Sequence, residues 1–329
     1  MGRIATLWKS TLRSGNWTRL NRPMNRSLFC TCFALIIAHI AQQASAQFTD
    51  PRNYENTPID TNQLEVSYTY VHANASIDTS LVLAGARFNL NQGVIDYTRY
   101  FGLLHRMTWA EAALPIANLG GSIEGTNVHG STAGAGDSSY TLAMLLKGGP
   151  ALTEAQFVDY QPATTLGVSL TAAAPTGLYK SNKILNLGSN RWSFKPEIAL
   201  SHPFGAERKF EFDTYANTYV YTDNTSYRPK QILVQEPLPG VEGHLSYSFN
   251  DILWTSLDAR YSFHGTTFVN GINQNDAQQN VIVGSEANVS LNSRSLLVFK
   301  FSKALVHQNG PSLTGFSLAY DYTWGKVSR

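Results

Sequence analysis

The side chains of this chain that could do chemistry are charged and polar residues spaced two positions apart within otherwise apolar segments. The pattern occurs in Lys195 and Glu197, Glu211 and Asp213, Glu242 and His244, and Asp258 and Arg260, while Glu286, Lys300 and Asp321 stand in similar surroundings. Residues two apart share one face of a β-strand. Such a face either lines a passage for solutes or fills an interior with ion pairs. Because both charge signs are present, we expect no strong selection between anions and cations.

Signatures of catalysis and cofactor binding do not occur in the sequence. It contains no H-E-x-x-H, P-loop or G-x-S-x-G motif, and its histidines lack the spacing of metal ligands. Ser262 and His264 come nearest to the Ser–His pair of an outer-membrane phospholipase, but the flanking residues do not resemble that class. We therefore expect no enzyme activity, cofactor or metal. The net charge of +2 at pH 7 excludes a strongly basic nucleic-acid-binding protein.

These polar residues belong to segments with a period of two, which is typical of strands with two different faces. The segments lie near 63–73, 93–102, 106–117, 138–148, 163–174, 191–201, 208–222, 240–250, 253–264, 278–291, 295–304 and 313–324. Each has about ten residues, the length that a tilted strand needs to cross a membrane. The sequence therefore predicts an all-β protein, a transmembrane antiparallel up-and-down barrel of about twelve strands. The even number places both ends of the barrel on one side.

Turn signals between the segments alternate in length. Short turns are predicted near 103–105, 202–208, 250–251 and 292–294, and long loops at 74–93, 119–137, 175–190, 223–239, 265–277 and 305–312. This order is typical of outer-membrane barrels, which have short periplasmic turns and long external loops. The linker 149–162 is long where a short turn is expected. Strands two and three follow the pattern poorly, since Asp96 and Arg99 fall on opposite faces, and residues 74–92 have room for an extra strand.

Two features favour a membrane barrel over a soluble β-sandwich. Aromatic residues gather near strand ends, as in Tyr322 and Trp324, where the interfacial girdles of a barrel lie. The opposite faces carry charges at mid-strand, as in Asp258 and Arg260. An apolar outside around a polar inside is stable only where lipid surrounds the wall.

The first 46 residues are predicted to be a signal peptide. Six basic residues precede an apolar stretch from Leu28 to Ile40, which a small-residue cleavage pattern follows at Ala44-Ser45-Ala46. Met24 is an alternative start. Cleavage near Ala46 after Sec export leaves 19 basic and 23 acidic residues, a net charge of −4, and no cysteine. We expect residues 47–62 to form an extended periplasmic lead-in and residues 63–325 to form the barrel in the bacterial outer membrane.

A family resemblance rests mainly on the connection before the sixth strand. The segments Pro175-Thr176-Gly177-Leu178-Tyr179 and Ile184-Leu185-Asn186-Leu187-Gly188-Ser189-Asn190-Arg191-Trp192-Ser193-Phe194-Lys195-Pro196-Glu197 closely resemble the "MetA-pathway of phenol degradation" family of outer-membrane proteins. Shorter matches extend the resemblance over about residues 58–325. It implies a barrel with a transporter-like role that is linked by name to aromatic catabolism, and it does not identify a substrate.

Two interpretations of the signature remain open. The signature loop, with Asn186, Gly188, Asn190, Arg191 and Trp192, either folds into the lumen and places Asn186, Asn190 and Arg191 at a constriction, or forms a rigid arc that orders strands five and six. The Gly, Pro and Asn residues favour the rigid arc.

Two hypotheses about function follow. The first is a monomeric passive channel for small, uncharged or apolar molecules, aromatic ones included. The second is a closed barrel whose external loops serve a structural or surface-interaction role. In both, the expected partners are outer-membrane lipid and the barrel-assembly machinery, without nucleic acid.

Overall fold

The structure, a computed structural model, describes residues 48–75, 86–127, 129–183, 185–309 and 311–325. Twelve antiparallel strands close into a barrel in which neighbours in sequence pair with each other. The barrel closes between the first strand and the last, where Thr61 lies opposite Gly325 and Asn74 opposite Ser312. The predicted twelve-stranded, antiparallel up-and-down barrel is therefore confirmed.

Each of the twelve predicted segments falls on one barrel strand. In chain order the strands are β1 (Thr61–Ala75), β2 (Ala86–Leu103), β3 (Arg106–Ile123), β4 (Ser139–Lys147), β5 (Thr165–Ala173), β6 (Ser193–Phe204), β7 (Phe210–Tyr221), β8 (Leu238–Ser248), β9 (Leu253–His264), β10 (Gln278–Asn292), β11 (Ser295–Gln308) and β12 (Pro311–Gly325). The first three strands are longer than predicted, and β2 begins inside the predicted loop 74–93. The extra strand for which residues 74–92 have room would fall largely on residues 76–85, which lie outside the described residues.

The barrel wall presents an apolar face outward and a mainly polar face inward. On β8, Val241 and Leu245 leave 48% and 42% of their surface exposed, whereas Glu242 and His244 are buried. Exposed Val and Leu beside buried charges reverse the usual order of a soluble domain. The reversal is stable when lipid covers the wall and polar partners fill the inside.

Short turns join the strands at the end that faces the periplasm in outer-membrane barrels. Leu104 and His105 alone connect β2 to β3, both with the positive φ of a two-residue hairpin turn. The long linker at this end, between β4 and β5, contains the short helix α1 (Glu154–Phe157), whose first turn is capped by Thr153. No helix in the described ranges combines the length and the apolar character needed to cross a membrane.

The opposite end carries most of the longer connections. The short strand His129–Ala135 pairs with β3, and Leu233–Gln235, Thr267–Val269 and Ile272–Asn273 form a small separate sheet. The prediction of a long loop at 305–312 is wrong, because β11 runs to Gln308 and β12 begins at Pro311. A register shift places Leu305 and Val306 both on the exposed face, which interrupts the alternation expected of a strand.

The chain before β1 enters the lumen, which differs from the extended periplasmic lead-in predicted for residues 47–62. Residues 51–55 form turns, and β1 already begins at Thr61. At the periplasmic mouth, the amide of Ile59 donates to the carbonyl of Leu152 at 2.8 Å. The segment turns inward because the buried carboxylates of the lumen need hydrogen-bond donors. The predicted signal peptide, residues 1–46, lies outside the described residues.

Candidate functional site: the barrel lumen

Residues 48–58, here called the N-terminal segment, lie inside the lumen. Their polar contacts run along β5 to β9 and reach β11, and Tyr54 also packs against Trp109 on β3. A cavity of about 470 Å³ remains, lined by residues from all twelve strands and by Phe48 to Pro51 of the segment. The lumen is therefore narrowed, but not filled, by the chain's own N-terminal segment.

Asp50 is bound by a lysine of the barrel wall. Both of its carboxylate oxygens accept hydrogen bonds of 2.7 Å from Nζ of Lys300 on β11. Glu286 on β10 lies 3.8 Å from the same ammonium group. The backbone carbonyl of Asp50 accepts a further bond of 3.3 Å from the Tyr215 hydroxyl. Lys300 is thus balanced by two carboxylates, one of which comes from the segment.

Thr49 joins three of the predicted lumen residues. Its amide donates to Oε2 of Glu242 at 2.7 Å, and its hydroxyl donates to Oε2 of Glu197 at 2.8 Å. Nζ of Lys195 donates to the same hydroxyl oxygen at 3.0 Å. These partners lie 146 to 193 positions away in the sequence. The contacts therefore form only when the barrel has closed around the segment.

Arg52 anchors the turn of the segment near the periplasmic end. Its amide donates to Oδ2 of Asp213 at 3.0 Å, and its guanidinium donates to the Ser248 hydroxyl at 3.0 Å. The guanidinium carbon lies 4.5 Å from the ring centroid of Trp254. This cation–π contact and the two hydrogen bonds fix Arg52 against β7, β8 and β9.

Tyr54 is the most enclosed residue of the segment. Its ring lies 5.2 Å from Trp109 and 5.3 Å from Tyr215, measured between ring centroids, and none of its surface is exposed. Its hydroxyl lies 2.9 Å from Oε1 of Glu197. A Cβ at Gly167 on β5 would lie 2.3 Å from the tyrosine ring. The absence of a side chain at Gly167 therefore makes the space that Tyr54 fills.

Glu242, which accepts from the Thr49 amide, belongs to a hydrogen-bonded network of charged side chains. His244 is fully buried, with Nδ1 2.9 Å from Oδ1 of Asp258 and Nε2 3.7 Å from Oε2 of Glu242. Arg260 forms an ion pair with Glu242, and the Asn217 amide donates to Glu242 as well at 2.9 Å. An Asp–His pair can orient a general base, but here the second ring nitrogen faces a carboxylate instead of a nucleophile. The arrangement serves to pair charges.

All eleven residues predicted to line the lumen point inward. Nine are buried, while Lys195 and Lys300 are half-buried. Glu211 and Asp213 lie toward the periplasmic end, and Glu211 lines a second cavity of about 210 Å³ beside the linker. Asp321 lies on β12, separate from the network around His244. Whether these side chains contact a permeating solute stays a prediction.

Sequence reasoning missed two groups of lumen residues. The first is the N-terminal segment itself, whose sequence has no periodicity. Its one signal in the sequence was the inward-facing Gly167, since a glycine on a strand can mark a place where another part of the chain packs closely. The second comprises Glu65, Asp96 and Glu111 on β1 to β3, all of which line the cavity.

The external half of the lumen is apolar on one side. A single buried cluster is formed by Val71, Ala73, Ala86, Phe88, Leu90, Ala117, Leu119, Ile123, Leu185, Leu187, Ile282, Ala304 and Leu313. Phe48 at the tip of the N-terminal segment packs against it. Two of its members, Leu185 and Leu187, come from the family-signature loop, which reaches inward and contacts the strands there. The lumen thus passes from an apolar external half to a charged middle.

The family-signature loop is anchored at Asp137, just before β4. One carboxylate oxygen accepts from the amide of Gly177 at 2.8 Å, and the other accepts from the amide and hydroxyl of Ser189 at 2.7 and 2.6 Å. Gly188 crosses Gly177 so closely that a Cβ on either would lie 2.7 Å from the other's backbone. These contacts hold the loop in one shape, while Leu185 and Leu187 extend into the lumen, so the structure has features of both interpretations.

The remaining signature residues have separate roles within the loop and beside it. Asn186 accepts from the Lys180 amide at 2.7 Å, and Asn190 donates to Asn224 at 2.8 Å. Arg191 is buried, with its guanidinium carbon 4.3 Å from the ring centroid of Tyr221. Trp192 is exposed on the outer face, as Val241 is on β8.

Burial raises the pKa of Tyr179 in the same loop. The Tyr179 hydroxyl donates to the carbonyl of Ser226 at 3.1 Å.

In the described ranges, no group of three or more His, Cys, Asp or Glu side chains could hold a metal ion.

Comparisons with known proteins identify a family and a fold. The family model described as "Putative MetA-pathway of phenol degradation" matches residues 72–320. The crystal structure of an outer membrane channel from Pseudomonas putida F1 aligns with a TM-score of 0.74 at 22% identity, covering 84% of this chain and 100% of that one. The transport unit of the autotransporter AIDA-I from Escherichia coli aligns with a TM-score of 0.51 at 8% identity, covering 89% and 99%. At these identities the likeness establishes the barrel fold alone. No curated protein sequence matches the chain.

Proposed function

The chain belongs to the family described as "Putative MetA-pathway of phenol degradation", and on that premise we propose that it is a passive outer-membrane channel for small molecules. The observation that carries the proposal is the cavity of about 470 Å³ that runs beside the N-terminal segment within the barrel. A space of this size accommodates one small organic molecule. The sequence contains no nucleotide-binding motif, so transport follows the concentration gradient.

The solutes we propose are small and uncharged or apolar, aromatic ones included. The apolar cluster around Phe88, Leu90 and Leu119 supports this class, because it gives the external half of the lumen a surface that favours apolar groups. The outer membrane channel from Pseudomonas putida F1 shares the fold, which supports a channel without identifying its solute.

Export and placement are part of the same proposal. We propose Sec-dependent export, cleavage near Ala46, assembly by the barrel-assembly machinery and a monomer in the bacterial outer membrane. The position of Phe48 inside the lumen supports cleavage, because a 46-residue extension would have to pass through the remaining cavity.

A closed barrel with a structural or interaction role is the second candidate. The density of contacts around Asp50, Arg52 and Tyr54 favours it, since a permanently bound segment narrows the passage at all times. Uptake measurements separate the two candidates.

The test uses protein purified from outer membranes and inserted into liposomes. For a channel, arabinose enters and the liposomes swell, whereas the larger sugar stachyose stays outside. In a separate recording of ionic current through the same protein in a planar bilayer, phenol lowers the current in a dose-dependent manner, because it occupies the apolar half of the lumen. Glycerol at equal concentration does not lower the current. Absence of uptake for both sugars would contradict the channel and support the closed barrel. Equal effects of phenol and glycerol would contradict the apolar solute class.

A further inference from the structure

A buried amide in the external half of the lumen has an oxygen without a partner. Asn280 on β10 is 4% exposed and lines the cavity of about 470 Å³. Its Nδ2 donates to Oε1 of Gln278 at 2.8 Å, whereas its Oδ1 has no hydrogen-bond partner in the part of the chain that the structure describes. A buried acceptor without a donor is unfavourable. The wall of the cavity is therefore short of a hydrogen-bond donor at this position.

An apolar surface lies beside this acceptor. Ile282 follows Asn280 by two positions on β10, so the two side chains share one face of the strand. Ile282 lines the same cavity and belongs to the buried apolar cluster. Leu90 on β2 and Leu187 of the family-signature loop are further members of the cluster that line the cavity. The cavity thus offers an apolar surface with an unsatisfied acceptor at its edge.

Phe48 extends this apolar surface toward the periplasm. A Cβ at Gly284, two positions beyond Ile282 on β10, would lie 3.1 Å from the Phe48 ring. Phe48 also packs against the apolar cluster. The tip of the N-terminal segment therefore forms part of the same surface.

The polar side of this space comes from β9. Ser262 lies directly opposite Asn280, and Arg260 lies directly opposite Ile282. Both β9 residues line the cavity, and the charge of Arg260 is compensated by its ion pair with Glu242. An ionised solute would lose its hydration here without gaining an unpaired charge as a partner. These surroundings favour a neutral solute.

We infer that the space beside Asn280, here called the Asn280 subsite, binds small neutral molecules that combine an apolar body with a hydrogen-bond donor, such as a hydroxyl or an N–H group. The body lies against Ile282, Leu90 and Leu187, and the donor is directed at Oδ1 of Asn280. The inference rests on the proposed channel function and specifies its solutes. It makes Asn280 the residue that distinguishes donor-bearing molecules from purely apolar ones, because the purely apolar ones leave its oxygen unpaired.

Binding of two matched probes tests the inference. The probe 5-fluoroindole carries an N–H donor, and 5-fluoro-1-methylindole has the same ring without it. Fluorine NMR titrations measure the Kd of each probe on folded protein purified from outer membranes, in detergent and without any ionic current. We expect Asn280→Leu to raise the Kd of 5-fluoroindole at least about threefold, the effect of one neutral hydrogen bond. The Kd of the methylated probe should stay unchanged or fall.

Gln279→Leu is the matched control. Gln279 precedes Asn280 on the same strand and is exposed on the outer face, so its replacement should leave both Kd values unchanged. If Asn280→Leu does not fold, Asn280→Ala removes the same oxygen without adding bulk, and the same rise is expected.

The outcomes separate this inference from the proposed function. Absence of saturable 5-fluoroindole binding, or an equal change for both probes in the folded Asn280 variant, overturns the subsite and leaves the channel intact. An equal rise in Gln279→Leu overturns it as well. Absence of channel events and of sugar uptake contradicts the channel itself, whereas probe binding is measured independently of conduction.

Discussion

Replacement of Tyr54 by Phe is the most informative single perturbation of the N-terminal segment. The change keeps the ring between Trp109 and Tyr215 and removes only the hydroxyl. That hydroxyl lies 2.9 Å from both the Glu197 carboxylate and the Ser169 hydroxyl, so it donates to the first and accepts from the second. Loss of a hydrogen bond to a charged group costs about 1.5 to 3 kcal/mol. The displaced state of the segment should therefore become about 10-fold to about 100-fold more populated.

Single-channel recording measures this population directly. We expect Tyr54→Phe to raise the frequency of large-conductance openings by that factor, because a displaced segment leaves a wider lumen. Tyr68→Phe is the matched control: its hydroxyl, 2.6 Å from Asn91, lies on the outer face of the barrel. If Tyr54→Phe and Tyr68→Phe give the same opening frequency, the reasoning that docking of the segment limits the conductance is refuted.

Three further predictions concern the loops and the barrel. Asp137→Asn removes the charge that holds the signature loop, so trypsin should cleave after Lys183 faster than in the wild type; an unchanged rate contradicts the anchoring role. Gly177→Ala places a Cβ 2.7 Å from backbone atoms and should lower the urea midpoint of unfolding, whereas Gly120→Ala meets nothing within 4 Å and should not; equal midpoints contradict the packing. Heated and unheated protein should migrate differently in detergent gels, and identical mobility of folded samples counts against a closed barrel.

The alternation of side chains was sufficient to predict the barrel. A wall between lipid and a polar lumen imposes a period of two on every strand, and residues such as Leu257 and Asp258 follow it closely. Prediction failed where geometry breaks the period, as at Leu305 and Val306, where a register shift turns two consecutive residues outward. Asp96 and Arg99 made β2 look irregular, but Arg99 lies near the periplasmic end, where it pairs with Asp60 at 2.7 Å.

The position of the N-terminal segment could not be predicted from local sequence. Its contacts join Thr49 to Glu242 and Asp50 to Lys300, pairs separated by 193 and 250 positions. The alternation of side chains along a strand carries no information about such contacts, because each contact joins the segment to a different strand. Eleven lumen residues were recognisable from the sequence, but the pairing of Lys300 with Asp50 depends on the position of the segment.

Single-channel conductance of the protein purified from outer membranes, inserted in planar bilayers, tests the central claim most directly. A channel narrowed by its own N-terminal segment gives discrete, small openings at low voltage, interrupted by rarer openings of larger conductance. A bilayer that contains folded barrels and carries no channel current, together with liposomes that take up no arabinose, would contradict it.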